Sequence, residues 1–101
     1  MILRHSVNGG EHFDLMLEVE VQDKLRTLQL AQWPLEPGVS CAAREIGPHR
    51  RAYLDYEGEI SGGRGHVVRV AAGTWQGHEG AIILNGRIHL VFDGQTVLRT
   101  V

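Results

Sequence analysis

His12 and Asp14 are the pair in this chain best placed to do chemistry. In an extended segment, residues two apart leave the same face of the strand. Phe13, Leu15 and Leu17 leave the opposite face and anchor the segment on a core. His5 lies upstream, separated from the pair by Asn8-Gly9-Gly10, a strong hairpin signal. A hairpin at that point carries His5 across the ladder to His12 and Asp14. Two imidazoles and one carboxylate make a borderline-to-hard ligand set. It suits manganese, zinc or iron and leaves positions open for a substrate.

A second polar group runs His49-Arg50-Arg51-Ala52-Tyr53. Pro48 suits the first position of a short helix, and a helical turn from there points His49 and Tyr53, four apart, the same way. A histidine beside a phenol, flanked by Arg50 and Arg51, can donate hydrogen bonds to a phosphate. The same residues also fit an exposed turn with the Tyr53 ring packed on the core.

Strands must position these groups. The chain has 101 residues and 13 glycines, about twice the ordinary glycine share, which points to many tight turns. Short strands are predicted over 1–7, 11–21, 25–31, 57–60, 66–72, 81–84, 86–92 and 95–101. Residues 41–46 fit either a strand or a helical turn. Pro34 and Pro37 keep 33–38 out of any central strand. Asn85-Gly86 and Asp93-Gly94 are the two best hairpin turns. Seven or eight short strands with one short helical turn predict an all-β fold, a small closed or partly open β-barrel, with 1–101 as one domain.

Composition narrows the function classes. Hydrophobic residues are 43% and charged ones 22%, the profile of a globular chain rather than a disordered one. The longest apolar run is Ala81-Ile82-Ile83-Leu84, too short for a transmembrane helix, and no secretory signal opens the sequence. Cys41 is the single cysteine, so no internal disulfide forms and a cytoplasmic setting is expected. A formal charge of −2 gives no general field for polyanions, so a nucleic acid must be gripped by a local patch or a metal.

The run His12-Phe13-Asp14-Leu15-x-Leu17-Glu18, with His5 upstream, resembles the hallmark of the 3′-phosphoesterase domain of bacterial DNA ligase D. Gly47-Pro48-His49 through Tyr53, then Tyr56-Glu57-Gly58-Glu59-Ile60, is similar to that family's second motif, Asp-His-Pro followed by a tyrosine and Phe-Glu-Gly-x-Ile-Pro. Leu30-Ala31-Gln32-Trp33-Pro34 and Gly73-Thr74-Trp75 echo two further elements in the same order, so the likeness covers roughly residues 3 to 100. The resemblance implies a manganese-dependent phosphoesterase that trims 3′ ends of DNA or of ribonucleotide-terminated strands during end joining. A ligase or polymerase partner goes with that role. It also implies that His5, His12 and Asp14 bind the metal (manganese, with zinc or another transition metal as alternatives), and that His49 and Tyr53 serve the scissile phosphate.

Three departures bear on activity. Where the family carries a phosphate-binding arginine two residues after the aspartate, this chain has Met16, which reads as an apolar gap filler. The chain begins almost at the first motif, without the family's polar N-terminal arm. Gly62-Gly63-Arg64-Gly65 replaces a Gly-Glu-Tyr-Gly loop, making Arg64, with Arg51, a candidate for the missing phosphate contact. The rival expectation is therefore a catalytically weakened or inactive barrel that binds nucleic acid or protein. Trp33 and Trp75 read as core or rim residues, and Cys41 as a buried structural thiol.

Overall fold

The computed structural model describes residues 1–7, 9–19, 24–50, 57–60, 65–78 and 80–101, and only the backbone at 24, 48–50 and 59. Among them are ten strands and no helix: β1 (Ile2–Val7), β2 (Gly10–Leu17), β3 (Lys24–Leu30), β4 (Ser40–Arg50), β5 (Gly58–Glu59), β6 (His66–Ala71), β7 (Trp75–His78), β8 (Ala81–Leu84), β9 (Ile88–Phe92) and β10 (Thr96–Arg99). With no helix there, none is long and apolar enough to cross a membrane. The fold is all-β. One sheet holds every strand in the order β5-β6-β1-β2-β3-β4-β10-β9-β8-β7, and each pairing is antiparallel.

The turn chemistry falls where the residues demand it. Asn85 and Gly86 take φ of 54° and 67°, the left-handed pair that a tight hairpin requires and that asparagine and glycine tolerate best. They join β8 to β9, and Asp93-Gly94 joins β9 to β10. β7, which the sequence pattern did not predict as a strand, pairs Trp75 with Leu84 and His78 with Ala81.

The sheet does not close into the expected barrel. Its edges are β5 and β7, with no ladder between them among the described residues. Closure needs continuous staggered pairing around the ring, and β5 contributes only two ladder residues. The core is instead enclosed by folding the sheet across β4. The first residues of that strand pair with β10, and those from Ala43 onward pair with β3. The halves on either side then share one apolar cluster. Phe13, Leu15, Leu17, Leu28 and Leu30 meet Ile82, Leu84, Leu90 and Val97 within it. Each such leucine, fully buried, contributes about 1.5–3 kcal/mol by leaving water. Trp33 and Trp75 pack against this cluster, and Trp75 Nε1 donates to the Glu18 carbonyl at 3.0 Å. Cys41 is buried in it, as expected for a structural thiol.

The predicted helical turn at 49–53 is also corrected. Gly47, Pro48 and His49 continue β4, while 51–53 lie outside the described residues. The ladder runs Thr27 to Ile46 and then Leu25 to His49, so Arg26 stands against both Gly47 and Pro48. That is a β-bulge, one of the few places in a sheet that tolerates a proline without an N–H.

Candidate metal centre

β1 and β2 form the expected hairpin, with His5 opposite His12 and Leu3 opposite Asp14. Alternation puts these four residues, with Met16, on the face turned away from the main core. His5 Nδ1 lies 3.2 Å from His12 Nε2, and His12 Nε2 lies 3.3 Å from Asp14 Oδ1. His5 Nδ1 is 4.0 Å from Asp14 Oδ2. Adjacent ligands about 2.1 Å from a metal ion stand roughly 3.0–3.4 Å apart, so the first two separations fit a shared ion. Among the described residues this is the one group of three potential metal ligands, all within 4.8 Å of one another.

The burial of the three residues is graded. The Asp14 side chain is 3% exposed, against 18% for His5 and 22% for His12. The carboxylate is the floor of the site and the imidazoles are its rim. A carboxylate this deep needs a compensating charge or hydrogen-bond donors. A divalent ion held jointly with neutral imidazoles supplies the first, and ring N–H groups supply the second. The donor set and its geometry therefore fit a divalent ion.

Backbone closes one side. Gly65 has φ of 98°, and a Cβ there would collide with the Ser6 carbonyl oxygen and stand 3.1 Å from His5 Nε2. The chain can pass this close only as glycine. It occupies the Nε2 side of His5, and Nδ1 faces His12 and Asp14. The Gly65 carbonyl accepts from Ile60 N at 2.7 Å, which fixes the approach.

The other side is open. A shallow groove of about 220 Å³ runs from His12 past Gln29, Ala42, Arg44 and Gln95. Gln29 stands in register beside Asp14, and Arg44 beside Gln29. Arg44 Nε donates to Gln29 Oε1 at 3.0 Å.

Compared with family models, curated proteins and solved structures, the chain matches none. The site is therefore read from its own atoms. His5, His12 and Asp14 are brought together. The backbone of His49 sits in β4 opposite Leu25. That is four residues along β3 from Gln29, roughly 13 Å at the rise of a strand. Arg51, Tyr53 and Arg64 lie outside the described residues. Met16 is 1% exposed and packs with Leu3, Leu25 and Val67 in a second apolar cluster beside the site on the same face. Gln29 and Arg44 were missed in the sequence. Gln29 lay within the strand predicted over 25–31 with no role assigned, and Arg44 fell in the segment that fitted either strand or helix. Only the register across three strands brings them beside Asp14.

Proposed function

We propose that the chain is a metal-dependent, 3′-phosphoesterase-like module that processes 3′ ends of DNA or of ribonucleotide-terminated strands in repair. The convergence of His5 Nδ1, His12 Nε2 and the Asp14 carboxylate on one point carries this reading. The motif resemblance supplies the substrate class. Manganese is the first candidate ion, with zinc or another transition metal as alternatives.

The chain's own residues would divide the work as follows. Asp14 fixes the negative end of the ligand set at the floor, and the two imidazoles hold the rim. Leu3, Met16, Leu25 and Val67 exclude water from the flank of the site, which strengthens the charge interactions beside them. His49 and Tyr53 are assigned to the scissile phosphate by the resemblance. A divalent ion, when bound, polarises phosphoryl oxygens and offsets the charge that develops on them. A cytoplasmic location and a ligase or polymerase partner belong to the same proposal.

One observation favours a second reading, a module that keeps the ion but has lost turnover. The position of the family's phosphate-binding arginine is Met16, and that side chain is committed to an apolar cluster.

Manganese titration tests the shared premise, and a turnover assay then separates the two readings. Wild type should bind manganese, and His12→Ala should weaken binding by more than about 100-fold, since even outer-sphere ligand partners cost 10–100-fold. With manganese, wild type should release phosphate or a nucleoside from a primer ending in a 3′-phosphate or a single ribonucleotide. Binding without product selects the binding module. Absence of binding in wild type removes both readings.

A further inference from the structure

We infer that Arg44, positioned by Gln29, is the residue of this groove that receives a phosphate group of the ligand. The inference rests on the reading of His5, His12 and Asp14 as a metal site, and it assigns the part that position 16 does not supply. Three observations carry it.

The first is placement. Leu3, Asp14, Gln29 and Arg44 form one row across β1, β2, β3 and β4. Arg44 is thus two strand spacings, roughly 10 Å, from Asp14. A phosphate lying between them could touch an ion at the floor with one oxygen and a guanidinium with another. The groove that begins at His12 is lined by Arg44 at that distance.

The second is orientation. A guanidinium offers five N–H donors in a rigid fork. Arg44 commits Nε to Gln29 Oε1, which holds the plane of the fork against β3. Among the described residues its two terminal nitrogens take no further partner. A pair of parallel donors is the geometry that binds phosphate oxygens two at a time.

The third is charge. Arg26, on the opposite face, is held by both carboxylate oxygens of Glu45 at 3.1 Å, and Arg4 stands 3.9 Å from Glu11. Those cations have their anions. Arg44 is paired with a neutral amide instead, and no acidic side chain is among the described residues that line the groove. Its charge is left for a ligand. Phosphate is favoured over carboxylate because its additional oxygens allow the guanidinium fork and a divalent ion on the His-His-Asp site to be engaged at once.

Calorimetric titration with inorganic phosphate, with and without manganese, tests the assignment, with acetate as the control anion. Arg44→Ala should weaken phosphate binding at least about tenfold, the scale of one charged hydrogen-bonding contact, and leave manganese affinity within twofold. Gln29→Ala should weaken phosphate severalfold, by freeing the fork, also with manganese binding intact. Arg44→Lys should recover part of the loss as a point charge. Arg44 is exposed, so its removal opens no cavity, and circular dichroism should match wild type. Phosphate affinity unchanged in Arg44→Ala overturns the inference, as does an equal loss for acetate. Should wild type take up no manganese, the metal reading fails by itself. The metal-free phosphate titration of wild type against Arg44→Ala then decides the arginine's role independently.

Discussion

From Phe13 to Leu17 the two faces of β2 are both buried and chemically unlike. On one, Phe13, Leu15 and Leu17 belong to a single apolar cluster of thirteen buried residues, among those described, drawn from both halves of the sheet. On the other, Asp14 and Met16 are 2% and 1% exposed, yet the carboxylate sits with two imidazoles and the methionine belongs to a cluster of four buried residues among those described. The first face gains stability from every methylene it hides. The second gives some of that up, because a buried carboxylate must be desolvated and then compensated. That second face carries the three groups on which the metal proposal rests. Burial alone does not distinguish the two faces; what each buries does.

Substitutions on the two faces should therefore separate cleanly. Leu15→Ala leaves a cavity in the larger cluster and should cost about 2–5 kcal/mol in urea unfolding. Manganese affinity of the folded protein should stay unchanged. A matching loss of affinity would show that the faces are not independent. Met16→Arg, which restores the family's residue in sequence, should be destabilising by about 2–4 kcal/mol, because it drives a charge among Leu3, Leu25 and Val67. A neutral effect would mean that the smaller cluster yields easily and that the arginine can reach the groove.

Gly65→Ala probes the wall of the site. The new methyl group meets the Ser6 carbonyl at a positive φ, so a loss of about 1–3 kcal/mol is expected. Metal affinity should fall with it, since the new methyl group also crowds Val7 Cβ and the His5 ring, whose Nε2 stands 3.1 Å from its position.

The smallest effect belongs to a position remote from both faces. Asp93 accepts from the backbone N–H of Gln95 and Thr96 at 2.8 and 2.7 Å and from the Thr96 hydroxyl at 3.0 Å. These bonds, the Gln95 amide first, hold its carboxyl below the ordinary value of 3.8. A lowered folded-state pKa stabilises fully above the unfolded value and is lost as pH falls through the lowered one. Asp93→Asn should slightly flatten the acid limb of the thermal-stability profile below about pH 4 and leave manganese binding untouched.

Much of this was legible from local chemistry. The strict alternation from Phe13 to Leu17 fixes which side chains share a face, because a strand repeats every two residues. Asn85-Gly86 fixes a hairpin, because few other residues take its backbone angles. His5, His12 and Asp14 could be joined on paper, because the short turn signal Asn8-Gly9-Gly10 leaves little freedom of register. What escaped was non-local. Residues 41–46 read as either a strand or a helical turn and Pro48 as the start of a short helix over 49–53, whereas a partner strand and a bulge draw 40–50 into β4.

The sequence by itself determined the all-β class, the main turns and the three side chains that meet at the end of the first hairpin. Each follows from torsional preference or from a period of two, and both act over a few residues. Only the tertiary structure decided that the sheet folds across β4 rather than closing, that Met16 packs with Leu3, Leu25 and Val67, and that Gln29 and Arg44 line up with Asp14. Those outcomes depend on which distant strands share a ladder and in what register. That is set by the burial of a whole face at once rather than by any local run of residues.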